Sequence, residues 1–116
     1  MKHFIRPPKT GDYAVIFASQ RAEGNARAYG AMADRMVELA AQQPGFIGVE
    51  SFRTEDGFGV TISYWESEQV IRNWKANTEH LEAQRRGKSD WYAHFDLRVC
   101  RIERAYGGGS GEPSGV

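Results

Sequence analysis

Cysteine is almost missing from this chain, since Cys100 is the only one among 116 residues. No disulfide can form within the chain, and the paired cysteines and histidine spacings of a zinc site do not occur. This composition favours a reducing, cytoplasmic setting. Long apolar runs are missing too: no stretch reaches about 18 apolar residues, and MKHFIRPPKTGD at the amino terminus lacks the apolar core of a secretory signal. We expect no membrane-spanning segment.

An excess of charge of either sign is also missing. Fifteen Lys and Arg residues balance fifteen Asp and Glu residues. This balance removes the electrostatic attraction that drives most non-specific binding to nucleic acids and anionic membranes. We therefore expect neither as a partner, and a chain of this length typically forms one domain.

Several known catalytic patterns do not occur in the sequence. We find no glycine-rich phosphate loop, no GxGxxG fingerprint and no local motif around a serine or cysteine nucleophile. The three histidines, His3, His80 and His94, are scattered along the chain and do not predict a metal site. We expect no metal and no cofactor.

The spacing of apolar residues and of turn-forming residues along the chain predicts the order strand, helix, strand, strand, helix, strand. The first strand, YAVIFAS over residues 13–19, is apolar on both alternating faces and should be covered on both sides. A helix is predicted from about residue 25 to 43, and Pro44-Gly45 stops it. The segments FIGVESFRTE and FGVTISYWE flank Asp56-Gly57, which predicts a tight antiparallel hairpin.

A second helix should begin at Ser67, which is a good N-cap, and end at residues 85–87, Arg-Arg-Gly. The last strand lies within AHFDLRVCRIERAY. This element order is that of the α+β class with a ferredoxin-like split β-α-β unit, in which two helices cover one face of a four-stranded antiparallel sheet.

We assign residues 1–12 to an extended amino-terminal segment, 13–106 to the domain, and 107–116, rich in Gly, Ser and Pro, to a flexible tail. The strands are apolar on both sides, and no third helix is available to cover the second face. A second copy of the sheet is the economical cover, which predicts a homodimer whose two sheets form one barrel.

The second helix carries an apolar stripe that includes Val70, Trp74 and Leu81. A neighbouring stripe of Asn73, Asn77, His80 and Gln84 follows at spacings i, i+4, i+7 and i+11. Amide and imidazole groups suit the wall of a partly buried cavity, because they form hydrogen bonds without fixed charge. Such residues are also common on a solvated helix flank, so both interpretations stay open. Trp65 could likewise pack under a helix or face the cavity.

The segments QPGFIGVES, ISYWESEQVIRNWK, EHLEAQRRGKSDWY and RVCRIERAYG resemble the antibiotic biosynthesis monooxygenase family, a dimeric α+β barrel group, over about residues 13–106. The resemblance implies a homodimer with a cavity between sheet and helices in each subunit. Some relatives oxidise polycyclic aromatic phenols to quinones without metal or flavin, whereas others bind haem and open its ring. Many members have no assigned reaction.

The haem-degrading relatives pair a helix tryptophan with a histidine ten residues later and with an asparagine on the first strand. Trp74 matches that tryptophan, but Gln84 stands ten residues beyond it, and YAVIFASQ contains no asparagine. Haem iron would lack its axial histidine here.

The leading hypothesis is a small cofactor-independent monooxygenase that acts on an aromatic or phenolic small molecule. His80 is the candidate catalytic residue, since it would take the phenolic proton. The candidate substrate-binding residues are Trp65, Asn73, Trp74, Asn77 and Trp91. The alternative from another class is a non-catalytic barrel that binds a small ligand, and haem binding or degradation ranks third.

Overall fold

A computed structural model describes residues 2–22, 26–84 and 92–108, except for the side chains of residues 26–29, 32 and 78–84. Five antiparallel strands form one sheet in the order β1-β3-β4-β2-β5. The order of the last four is that of the ferredoxin-like fold, which confirms the predicted α+β class. The elements are β1 (Lys2–Phe4), β2 (Tyr13–Arg21), α1 (Ala26–Ala41), β3 (Phe46–Arg53), β4 (Phe58–Trp65), α2 (Glu68–Gln84) and β5 (Tyr92–Arg101).

The sheet has five strands, so the prediction of four was wrong by one. The extra strand is β1, which lies within the segment assigned as extended and pairs with β3. Its Phe4 ring lies 5.4 Å from the ring of Tyr64, and Gly48 leaves the space that this ring occupies. Pairing satisfies backbone groups of β3 that would otherwise be left at the sheet edge. Three residues are too few to show an alternating pattern, and the sequence therefore did not reveal this strand.

The hairpin predicted at Asp56-Gly57 is confirmed. β3 pairs with β4, and Gly57, at φ +95°, donates its backbone N–H to the carbonyl of Thr54 at 3.0 Å. A left-handed φ at this position is easy for glycine, since it has no Cβ. The side chain of Gln20 reaches the turn from β2 and donates to the carbonyl of Asp56 at 2.7 Å.

The end of α1 and the start of α2 agree with the sequence signals. α1 ends at Ala41, shortly before Gly45, which has φ +86°. α2 begins at Glu68, and the hydroxyl of Ser67 caps it by accepting the N–H of Val70 at 3.2 Å. Its predicted end at residues 85–87 lies outside the described residues. Over the described residues, no helix is long and apolar enough to cross a membrane.

Both helices pack on one face of the sheet, which we call the helix side. The core contains Phe46, Val49 and Trp65 from the strands and Ala40 from α1. Further apolar residues pack against this cluster, and they are Val15, Val37, Ala41, Val70, Ile71 and Trp74. The apolar stripe predicted for α2 is therefore confirmed at Val70 and Trp74, while the side chain of Leu81 lies outside the description.

The opposite face of the sheet, which we call the open face, has no helix over it among the described residues. It is apolar through Ile16 and its partner Ile62, and through Val60. Phe52 and Phe58 lie on the same face, and 68% and 47% of their surfaces are exposed. The two-sided apolar pattern in the sequence thus corresponds to one covered and one uncovered face.

An ion pair joins the two ends of the turn within the amino-terminal segment, between Arg6 and Asp12. Arg6 donates to both carboxylate oxygens of Asp12 at 2.8 and 3.1 Å, and Asp12 is buried. The backbone N–H of Lys9 donates to the same carboxylate at 2.8 Å. The Arg6 hydrogen bond, followed by that of Lys9, holds the pKa of Asp12 below its ordinary value despite burial.

Candidate functional site

Trp65 and Trp74, two of the predicted site residues, stack on each other with ring centroids 5.9 Å apart. Trp65 has no exposed surface, meets the ring of Phe46 edge-on and donates its indole N–H to the hydroxyl of Ser63 at 2.9 Å. The structure therefore places Trp65 in the core. Trp74 is half-buried above it and is the member of the pair that a ligand could touch.

Asn73 and Asn77 lie on an exposed flank of α2. The Asn73 amide oxygen accepts from Gln69 at 3.1 Å, one helical turn away. The Asn77 amide donates to Gln43, which follows α1, at 3.2 Å. This second bond places the Asn77 amide on the side of α2 that faces the end of α1.

The side chains of two predicted site residues lie outside the description. The backbone of His80 belongs to α2, but its side chain lies outside the description. Trp91 lies outside the described residues altogether. The structure therefore brings together Trp65 and Trp74. It places Asn73 and Asn77 on the exposed flank of α2, and leaves the other two as predictions.

A second group of aromatic rings lies on the helix side, where β2 pairs with β5. The ring centroid of Phe17 lies 5.1 Å from that of Tyr92 and 5.6 Å from that of Phe95. The rings of Tyr92 and Phe95 are 6.3 Å apart. These three side chains form a continuous set of ring contacts. We call them, with Leu97 and Val99, the aromatic surface.

Leu97 and Val99 extend this surface along β5, because residues two apart on a strand share a face. They lie opposite Phe17 and Val15 in the sheet. Exposed fractions of 39% for Phe95, 52% for Leu97 and 45% for Val99 show that the helices leave this strip open. Sequence reasoning missed the aromatic surface. The alternation in HFDLRVC was visible, but nothing local shows that Phe95 and Phe17 share a neighbourhood.

A polar border limits the aromatic surface near the hairpin. Ser19 is fully buried, lies directly opposite Phe95, and accepts a 2.9 Å hydrogen bond from the guanidinium of Arg53. Arg53 crosses from β3 over Gly59, whose missing side chain makes room for the guanidinium. Rings bordered by a cation and a hydroxyl suit a planar aromatic molecule that carries an oxygen substituent.

On the open face, the hydroxyl of Tyr64 donates to the carboxylate of Glu50 at 2.7 Å. Burial, with this hydrogen bond second, raises the pKa of Tyr64 to about 12. Tyr64 therefore keeps its proton at neutral pH. No cluster of three or more His, Cys, Asp or Glu side chains able to hold a metal ion occurs in residues 2–22, 26–84 and 92–108.

Comparisons with known proteins agree with this architecture. The chain is 47% identical over 104 residues to the uncharacterized protein YqjZ of Bacillus subtilis, covering 90% of each chain. Its fold resembles that of SnoaB, a cofactor-independent oxygenase from Streptomyces nogalater, with a TM-score of 0.66 and 16% identity over 83% of this chain and 97% of that one.

A conserved protein from Methanosarcina mazei has a TM-score of 0.67 and 10% identity, over 80% of this chain and 94% of that one. At such identities these two likenesses concern the fold alone. A model of the family described as antibiotic biosynthesis monooxygenase matches residues 12–86. From this match and the relationship to YqjZ, the chain belongs to the antibiotic biosynthesis monooxygenase family.

Proposed function

We propose that the protein is a small cofactor-independent monooxygenase that oxidises a phenolic aromatic molecule held between the sheet and α2. The aromatic surface is the observation that carries this proposal. Its three touching rings and exposed strip would give a planar substrate apolar contact on the helix side. Family membership and the fold shared with an oxygenase support the same chemistry.

The proposed reaction converts a phenol and one O₂ into a quinone and one water. The phenol loses the hydrogens of its hydroxyl group and of one ring carbon. One oxygen atom of O₂ enters the ring, and the other leaves as water with both hydrogens. The substrate supplies all the electrons, so the protein has only to bind the ring, exclude bulk water and take the phenolic proton.

In this proposal, Phe17 and Phe95 form the floor of the site and Trp74 forms part of its wall. His80 remains the proposed proton acceptor, because an imidazole has a reference pKa near 6.5 and titrates around neutral pH. Trp91 remains a proposed wall residue. Asn77 would meet only a ligand that extends from the site toward the end of α1, where its amide lies. Asn73 would meet only a ligand that reaches the exposed flank of α2 beside Gln69.

The proposed assembly is a homodimer in which a second copy covers the open face. Phe52 and Phe58 expose large fractions of their rings there, beside Ile16 and Ile62. A contiguous apolar face of this kind usually marks an interaction site. A monomeric mass at micromolar concentration in sedimentation equilibrium would contradict the dimer. The single cysteine supports a reducing, cytoplasmic location.

Oxygen uptake with a panel of phenols, naphthols and larger hydroxylated aromatics tests the activity. We expect uptake with at least one member of the panel, together with the visible absorbance of a quinone. A panel that raises the melting temperature without consuming oxygen would instead support the non-catalytic binding barrel.

Phe17→Ala tests the site with an oxidised substrate. Removal of a ring that contacts the ligand should raise KM by roughly tenfold or more, since burial of such a side chain contributes about 1.5–3 kcal/mol. Tyr106→Ala is the matched control, because Tyr106 is an exposed aromatic residue beyond β5. Equal KM values for the two variants would remove the aromatic surface from substrate binding.

His80→Ala tests the proton acceptor separately. We expect it to lower kcat more than it raises KM, with partial recovery at high pH, where the free phenol ionises without help. A kcat and pH profile equal to those of the wild-type protein would remove His80 from the reaction.

A further inference from the structure

β5 ends the sheet formed by the described residues, and it is long. It runs for ten residues from Tyr92 to Arg101, and each residue after Tyr92 is exposed. A long edge strand with exposed apolar side chains is a template for pairing with another strand. Its two faces differ: Phe95, Leu97 and Val99 lie on the helix side, while Asp96 and Arg98 lie on the open face.

We infer that β5 pairs with β5 of a second copy, antiparallel and centred on Leu97. The inference rests on the proposed homodimer and specifies the seam at which its two sheets join. Residues directly opposite each other in an antiparallel pair share a face, so the two-fold axis must pass midway between one residue and the same residue of the partner. The centre of the strand lies beside Leu97, so this register uses nearly its whole length.

Among the registers centred on residues 96–98, the charges on the open face favour the same one. Centred on Leu97, the pairing sets Asp96 opposite the partner's Arg98 and Arg98 opposite the partner's Asp96. A register centred on Asp96 would oppose two carboxylates, and one centred on Arg98 would oppose two guanidiniums, both of which are unfavourable. The intrastrand contact of Asp96 with His94, 3.4 Å between Nε2 and Oδ2, lies on the same face and leaves this register possible.

The helix side of the same seam is apolar. Leu97 meets its own copy on the axis, and Phe95 lies opposite the partner's Val99, which is a favourable cross-strand pair of an aromatic and a β-branched residue. The exposed apolar strips along the two β5 strands therefore join into one continuous surface. Each copy therefore closes the open edge of the other's aromatic surface, so that the proposed substrate site is completed by the partner.

A cysteine on the axis tests this seam directly. In a Cys100→Ser background, Leu97→Cys sets two cysteines opposite each other at a Cα separation of about 4.5–5.5 Å, which a disulfide can span. We expect rapid crosslinking by copper phenanthroline into a dimer on a non-reducing gel. Phe95→Cys in the same background is the control, because its copies would lie about 13 Å apart along the strand.

The result that overturns the seam is a dimeric mass with no faster crosslinking of the Leu97→Cys variant than of the Phe95→Cys control. In that case the proposed dimer stands and only its seam is wrong. A monomeric mass of the wild-type protein overturns the seam and the dimer together.

Charge reversal gives a second test that does not depend on cysteine. Asp96→Arg or Arg98→Asp alone places like charges opposite each other twice per dimer, and we expect dimerisation to weaken by roughly tenfold. The combined variant restores opposite charges and should recover wild-type affinity by sedimentation. Single variants that dimerise like the wild-type protein, or a double variant no better than either, would contradict the register.

Discussion

The connection between α1 and β3 has little free space, and this gives the sharpest stability prediction. Gly45 has φ +86°, and a Cβ added there would lie 2.6 and 2.9 Å from the two methyl groups of Val70 on α2. The carbonyl of Gly45 also accepts the N–H of Glu66 at 2.9 Å, just before α2. The position therefore determines how closely the start of α2, and with it Trp74, can approach the sheet.

Gly45→Ala should destabilise the protein by about 3 kcal/mol. A left-handed φ costs a residue with a Cβ roughly 1–2 kcal/mol. Forcing a methyl group against Val70 adds roughly 1–3 kcal/mol, because packed side chains must leave their favoured rotamers. Gly11→Ala is the matched control: Gly11 has φ +93°, but a Cβ there would meet no atom within 4 Å. That variant should show the backbone cost alone.

Urea denaturation at one fixed protein concentration measures both variants. With a slope of about 1.5 kcal/mol per molar, the midpoint should fall by roughly 2 M for Gly45→Ala and by roughly 1 M for Gly11→Ala. Val70→Ala removes the clashing methyl groups. The double variant Gly45→Ala with Val70→Ala should therefore lose less free energy of unfolding than the two single variants lose together. Equal losses for the two glycine variants, or strict additivity in the double variant, would refute the packing argument.

Two further predictions concern pH. The pKa of Asp12 is lowered from its ordinary value of 3.8, so the ionised carboxylate paired with Arg6 stabilises the folded state above that pH. This stability is lost as the pH falls through the pKa of Asp12 in the folded state. Arg6→Ala should cost about 2 kcal/mol at pH 7 and flatten the decline of the urea midpoint in acid, and an unchanged acid profile would contradict this. The pKa of Tyr64 is raised to about 12, so its protonated hydroxyl stabilises the folded state. This contribution is complete below pH 10 and is lost as the pH rises from 10 to 12. Glu50→Gln should lower the Tyr64 pKa only in part, since burial is the larger cause of its rise. A titration of tyrosinate absorbance measures this pKa, and an unchanged titration would contradict a contribution from the hydrogen bond.

Local signals in the sequence were sufficient wherever a feature depends on neighbouring residues. The hairpin at Gly57 follows from the left-handed φ that glycine adopts easily, and the start of α2 follows from the hydroxyl of Ser67. The periodicity of α2 also identified Val70 and Trp74 as residues that pack on the sheet. The element order then gave the ferredoxin-like arrangement.

The candidate site was less predictable. The sequence made Trp65 and Trp74 candidate substrate-binding residues. Only the packing shows that Trp65 has no exposed surface and that, of the two, Trp74 is the one a ligand could touch. The amides of Asn73 and Asn77 could equally have faced a cavity or solvent. Their bonds to Gln69 and Gln43 show where they lie.

The sequence by itself determined the hairpin, the cap of α2 and the apolar faces of the strands, because each depends on backbone preference or on a short period. Tertiary structure alone decided that β1 pairs with β3 and that Phe17 meets Phe95, which lies in β5, the last of the described strands. Such contacts depend on the register between distant strands. A period of two shows which face a side chain occupies, but not which residue lies beside it.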